Sequence, residues 1–198
     1  MDKKYAKITL LVDIDDTLED LLGVWIKTIN KKYHTKVIPS EVTSWDLSKA
    51  FPTLSKEKVY APIHQDSLWK KVTPKEGASE YLEKLYTQGF KIYLCTATNP
   101  DTVKSKFNNV VKRYFPFIDW EHIIITSKKQ LIHGDILVDD GIHNLLFGRY
   151  KKVLMTAPHN AWFKEETTDI YRVNNWKEAY ETIIKIADEI LLTKGAKK

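Results

Sequence analysis

The chain of 198 residues carries a single cysteine, Cys95. No disulfide can form within it, and a reducing compartment, the cytoplasm, is the expected setting. Cys95 lies in the apolar run Phe90-Lys91-Ile92-Tyr93-Leu94-Cys95, where a small buried core residue is expected in preference to a nucleophile. Long hydrophobic runs are also missing. The apolar stretch after the basic residues 1–5 stops at Asp13, too short and too acidic for a signal peptide or a spanning helix, so no membrane association is expected. There is no internal repeat and no low-complexity tract. Nor does one charge dominate: the formal net charge is +5 and the pI about 9.0. That balance suits a small anionic partner such as a nucleotide or phosphate ester, while lysines scattered singly over solvated faces do not suit long nucleic acid. With 43% hydrophobic and 29% charged residues, the chain reads as one globular domain with room for a modest insertion.

Residues 8–12 are mostly aliphatic and run into Asp13-Ile14-Asp15-Asp16-Thr17, a strand that ends by presenting carboxylates. Leu18, Leu21, Leu22, Trp25, Ile26, Ile29 and Tyr33 then repeat on one helix face, predicting a helix to about Lys32. From 34 to 74 the pattern turns irregular, with Pro39, Pro52 and Pro62, and with Ser40 and Ser55 as expected caps of short helices. After Gly77, helices and strands alternate. Strands are expected at 91–95, 122–126, 135–139, 152–155 and 170–173, with Asn99-Pro100 opening one helix, a helical turn at 145–147, and a last helix after Asn175. The expected fold is α/β, a Rossmann-like parallel sheet with helices on both faces. Residues 1–17 and 73–193 are its expected core, 18–72 a small helical cap inserted after the first strand, and 194–198 a disordered tail.

In such folds ligands bind at the carboxyl ends of the strands. Those ends carry Asp13, Asp15 and Thr17, then Thr96-Ala97-Thr98-Asn99, then Ser127-Lys128-Lys129, then Asp139-Asp140-Gly141. Acid, hydroxyl, cation and acid on four successive strands are the set that phosphoryl transfer through an aspartyl phosphate requires. A carboxylate attacks phosphorus only when Mg²⁺ and a lysine relieve the charge repulsion. Asp13 is the expected nucleophile and metal ligand, and Asp15 the general acid/base, its carbonyl also on the metal. Thr96 is expected to hold the phosphoryl oxygens. Adjacent residues point opposite ways from a strand, so of Asp139 and Asp140 one should ligate Mg²⁺, here Asp140, while the other orients the lysine or a metal-bound water. A calcium loop is excluded by position, since its turn glycine would fall at Leu18 and its bidentate glutamate at Val24. His133, His143 and His159 have no ligand spacing and are expected to be loop or packing residues.

These motifs resemble the four signature motifs of the haloacid dehalogenase superfamily of phosphatases. Within it, the chain is most similar to the 5′(3′)-deoxyribonucleotidase family, through Tyr93-Leu94-Cys95-Thr96, Ile125-Thr126-Ser127-Lys128-Lys129, the run from Gly134 to Asp140, Thr156-Ala157-Pro158-His159-Asn160 and Val173-Asn174-Asn175-Trp176. The resemblance implies that Lys129 is the motif lysine and that the substrate is a nucleoside monophosphate. It also marks departures: Ala97 stands where family members carry serine, and Asp16-Thr17 where many carry Gly-Val. Trp45 and Trp69 are the aromatic residues expected to stack on a base, and Thr98 is a further expected substrate contact. A phosphatase of another small ester or of a nucleic-acid 3′ end remains open, as does a nucleotide-binding module without turnover. Oligomeric state, a homodimer included, is not fixed by the sequence.

Overall fold

In the computed structural model, which describes residues 3–164 and 168–195, six short strands form one parallel sheet. They are β1 (Thr9–Val12), β2 (Lys91–Thr96), β3 (Ile123–Ile125), β4 (Ile136–Asp139), β5 (Lys151–Met155) and β6 (Ile170–Val173), in the order β3-β2-β1-β4-β5-β6. Alternation explains why both faces are covered. Leu10, Val12, Leu94, Ile136 and Val138 bury into a large core on one side, while Leu11, Cys95, Leu137 and Leu154 bury into a smaller one on the other. Cys95 is thus a core residue, and burial pushes its thiol up to about 12.

The chain builds outward from β1 to β2 and β3, then returns to the other side of β1 to lay down β4, β5 and β6. The order therefore reverses between β1 and β4, and a crevice opens there beyond the strand ends. Val12 pairs with both Leu94 and Val138, so β1, β2 and β4 end level with one another. The Asp13 N–H donates to the Val138 carbonyl at 2.9 Å, which anchors the first acidic residue at the lip of that crevice.

Helix α1 (Leu21–Tyr33) begins three residues later than its apolar face suggests. Two carboxylates set its start: Asp20 accepts from Gly23 N at 3.0 Å and Asp16 from Leu22 N at 2.9 Å. The insertion continues through α2 (Lys56–Tyr60), α3 (Asp66–Trp69) and three single tight turns. Ser55 caps α2 as expected, but Ser40 lies inside the turn Pro39–Glu41, which starts at Ile38 instead. Chain entry and exit run side by side, with Asp20 N donating to Thr73 O (3.0 Å) and Lys75 N to Leu18 O (2.9 Å). The chain therefore enters and leaves the insertion through one paired ribbon, and the insertion also meets the helices after β2, through His64–Asp101 (2.6 Å) and Asn109–Asp66 (2.7 Å).

The remaining helices cover the sheet. They are α4 (Ala78–Thr87), α5 (Pro100–Lys106), α6 (Lys112–Tyr114), α7 (Ile142–Leu145) and α8 (Trp176–Gly195). A π-helical turn, Phe107–Val111, joins α5 to α6. Helix α7 falls earlier than the expected turn at 145–147 and leaves Phe147 exposed. Helix α8 extends through Gly195, with Lys194 Nζ 2.7 Å from Asp135 Oδ1, so residues 194–195 are helix and not tail. Residues 196–198 lie outside the described residues. Among the described residues no helix is long and apolar enough to cross a membrane.

Trp69 departs from the expectation of a stacking residue. It is 1% exposed, its Nε1 donates to Ile63 O at 2.8 Å, and it belongs, with Val42, Phe51 and Val59 of the insertion, to the large core that continues onto the sheet. Helical spacing shows that a tryptophan is on an element but not which way it faces. Trp45, by contrast, is 58% exposed. Trp69→Ala should cost about 3–5 kcal/mol in urea unfolding, whereas Trp45→Ala should cost under about 1 kcal/mol. Equal costs would contradict this assignment.

Candidate active site

Lys129 organises the crevice. It follows β3 on a short turn, is 1% exposed, and places its Nζ between two carboxylates: it donates to Asp13 Oδ1 and, at 2.6 Å, to Asp139 Oδ2. Although burial works against the ammonium, the charges of Asp13 and Asp139 hold it well above the usual lysine range, so it stays cationic. Lys128, its neighbour, is exposed.

Asp139 is saturated. Its Oδ1 accepts from Gly141 N (2.7 Å) and Asn144 Nδ2 (3.0 Å), and its Oδ2 from Lys129 and Asn144. The Asp140 side chain, 3% exposed, lines the cavity and among the described residues meets only His159, with Nε2 3.3 Å from Oδ2. Asp13, Asp139 and Asp140 each offer a ligand atom within 4.8 Å of the others. Three buried carboxylates thus share one ammonium, and the carboxyls of Asp13 and Asp140 are pushed above the usual carboxylate range. Burial, against the charge of Lys129, pushes Asp13 up to about 7. Burial together with the Asp13 and Asp139 charges raises Asp140 well above the carboxylate range. A donor set of buried oxygens short of positive charge fits a divalent cation. Asp140 has the free lone pairs to ligate it, Asp139 does not.

Asp15 sits across the crevice, its Oδ2 2.7 Å from Lys106 Nζ. The same ammonium donates to Thr96 Oγ1 at 2.8 Å. Lys106 escaped the sequence reading, yet a signal exists: with Val103 and Val110 it occupies the apolar stripe of its helix, where an unpaired lysine would be costly. It is 2% exposed and lies immediately before the π-helical turn. Glu19 was also missed. It is fully buried in the ribbon leading to the insertion, and burial with the charges of Asp15 and Asp16 raises its carboxyl well above the usual range. Asp16 adopts φ 56°, the left-handed conformation that favours glycine. That conformation accounts for the expected Gly at this position and for the tolerance of Asp, whose carboxylate is used to cap α1.

A cavity of about 400 Å³ opens above these groups. Its floor holds Asp13, Asp15, Lys129 and Asp140, and its roof is mainly apolar, from Leu22, Trp25, Val42, Leu47 and Ile63 of the insertion. Trp45 stands at the rim, edge-on to His143 (4.6 Å between centroids) and His159 (5.0 Å). Burial pushes both imidazoles below the ordinary histidine value. Thr98 lies elsewhere. Its hydroxyl bonds that of Thr102 at 2.7 Å and lines an adjoining polar cavity of about 300 Å³, which shares Asp15, Ile63, Ala97 and Ser127 with the first.

The model of the family 5′ nucleotidase, deoxy (pyrimidine), cytosolic type C protein matches residues 6–189. The 5′(3′)-deoxyribonucleotidase of Clostridium acetobutylicum is 34% identical over 173 residues, 87% of this chain and 93% of that protein. The 5′(3′)-deoxyribonucleotidase of Bacillus subtilis is 34% identical over 174 residues, 87% of this chain and 96% of that protein. Among solved structures, a haloacid dehalogenase family hydrolase from Deinococcus radiodurans superposes with a TM-score of 0.62 at 13% identity, covering 93% of this chain and 97% of that one. A haloacid dehalogenase-like hydrolase from Streptococcus pneumoniae gives 0.60 at 15% identity, with 89% and 98% covered. The chain thus belongs to the deoxy (pyrimidine) cytosolic type C family of 5′ nucleotidases, and is a phosphoric monoester hydrolase on a haloacid dehalogenase-like fold.

Proposed function

We propose that the protein removes phosphate from deoxyribonucleoside monophosphates, pyrimidine ones above all, in an Mg²⁺-dependent reaction through an aspartyl phosphate. The observation that carries the reading is the Lys129 ammonium bonded to Asp13 and Asp139 at the floor of a cavity with an apolar roof. Such a site takes a charged ester at one end and a flat apolar group at the other.

Asp13 Oδ attacks phosphorus and the ester oxygen departs, protonated by Asp15. Asp15 then takes a proton from water as that water attacks the acyl phosphate, releasing inorganic phosphate and restoring Asp13. Lys129 and Thr96 hold the phosphoryl oxygens, and Asp139 keeps Lys129 in place. Asp13, Asp140 and the Asp15 carbonyl would hold Mg²⁺, which when bound would neutralise charge between the nucleophile and the phosphoryl group. The insertion acts as the cap, with Trp45 at the rim against the base. Thr98 serves the adjoining polar cavity, where parts of a larger ester would extend. A reducing cytoplasm is the proposed compartment, in keeping with the single unpaired thiol of Cys95.

Phosphate release from dUMP, dTMP, UMP, ribose 5-phosphate and a 3′-phosphorylated oligonucleotide, each with Mg²⁺ or with EDTA, tests the reading. Stacking worth about 1–3 kcal/mol should favour the nucleotides over ribose 5-phosphate by roughly 10- to 100-fold in kcat/KM, and EDTA should abolish turnover. Faster turnover of the oligonucleotide end or the bare sugar phosphate would overturn the substrate; binding of dUMP without release would overturn turnover. Lys106→Met should lower kcat by about 10²-fold with little change in KM, since it leaves the proton donor unsupported. Lys128→Met should leave kcat unchanged, and parity between the two variants would remove Lys106 from the mechanism.

A further inference from the structure

The loop after β5, Thr156-Ala157-Pro158-His159-Asn160, takes no part in the chemistry above, yet two of its side chains converge on one residue of the site. Asn160 is fully buried. Its Nδ2 donates to the carbonyls of Asp140 (2.9 Å) and Met155 (2.8 Å), while its Oδ1 accepts from Ala157 N at 3.1 Å and from Arg172 at 3.0 Å. Asn160 thereby ties the end of β5 to the residue that follows β4. His159, beside it, hydrogen-bonds the Asp140 carbonyl oxygen through Nε2 at 3.3 Å, and the same nitrogen lies 3.3 Å from Oδ2 of Asp140.

The same imidazole has a second neighbour. Trp45 of the insertion meets it edge-on, at 5.0 Å between centroids and 89° between planes. One ring therefore touches a carboxylate of the cation cluster and the residue at the rim of the cavity. Asp139 is fixed by a lysine, an asparagine and a backbone N–H, whereas among the described residues the Asp140 carboxylate has only His159 to orient it.

We propose that His159 is a positioning residue, which sets the Asp140 carboxylate for the divalent cation and couples the filling of that site to the seating of Trp45 over the cavity. The inference rests on the reading of Asp140 as a metal ligand. Groups that hold a ligand in orientation contribute 10- to 100-fold to metal affinity in typical sites. Because coupling is reciprocal, a cation that locks Asp140 against His159 also locks the ring on which Trp45 packs.

Mn²⁺ binding to the intact protein without substrate, read from the paramagnetic resonance of free Mn²⁺, tests the first half. His159→Leu should bind about 10- to 100-fold more weakly, while His159→Gln, which keeps an N–H donor, should recover most of the loss; circular dichroism and thermal melting show that both are folded. Wild-type affinity in His159→Leu overturns the inference, as does an equal loss in both variants, which would mark a packing role. No Mn²⁺ binding by the unaltered protein overturns the metal reading itself and the inference with it. For the second half, Mg²⁺ should change the tryptophan emission of the unaltered protein, and the change should vanish in Trp45→Phe and in His159→Leu. Persistence of the change in His159→Leu would overturn the coupling.

Discussion

Three buried carboxylates and one buried ammonium meet where β1 and β4 end, and the rest of the site follows from that imbalance. Lys129 satisfies Asp13 and Asp139 and leaves Asp140 without a cation. Even with Lys129 beside it, burial pushes the Asp13 carboxyl up to about 7, and a carboxyl that holds its proton is no nucleophile. Ionising it requires more positive charge in the crevice. The same deficit makes this cluster of buried oxygens fit a small, hard cation.

The sheet order makes this concentration of charge feasible. Reversal between β1 and β4 opens a gap at their carboxyl ends, so acids from two neighbouring strands face one another across a space instead of colliding. Asp13 is held there by its backbone bond to Val138, and Asp139 by Gly141 and Asn144. The insertion contributes the opposite property: a mainly apolar roof, entered and left by the chain at residues 18–20 and 73–75, which pair with each other. Polar floor and apolar roof together describe an amphipathic ligand, phosphate at one end and base at the other.

Much of this can be read directly from the residues, and the reasons for the exceptions are physical. The strand-end acids announce themselves because carboxylates that terminate a buried aliphatic run are costly without a cation beside them, and Asp13, Asp139, Asp140 and Lys129 do gather in one crevice. Trp45 and Trp69 could not be told apart, since composition says nothing of which way a ring turns in an irregular segment; one lies at the rim and the other in the core. Lys106 was hidden by being counted as a surface lysine, although its place on an apolar stripe gave it away. Asn160 and His159 act on Asp140 from a loop twenty residues away, a relation set by the pairing of β4 with β5 and not by any spacing in the sequence.

The central claim is that Asp13 carries the phosphoryl group from the ester oxygen to water. Acid quenching of a reaction with dUMP and Mg²⁺ within the first turnover, followed by borohydride reduction and peptide mass analysis, reads it directly. The account predicts reduction of an acyl phosphate at Asp13 alone, giving homoserine at that position, and none when substrate is omitted. Turnover with no modification at Asp13, or with the label at Asp15, would contradict it.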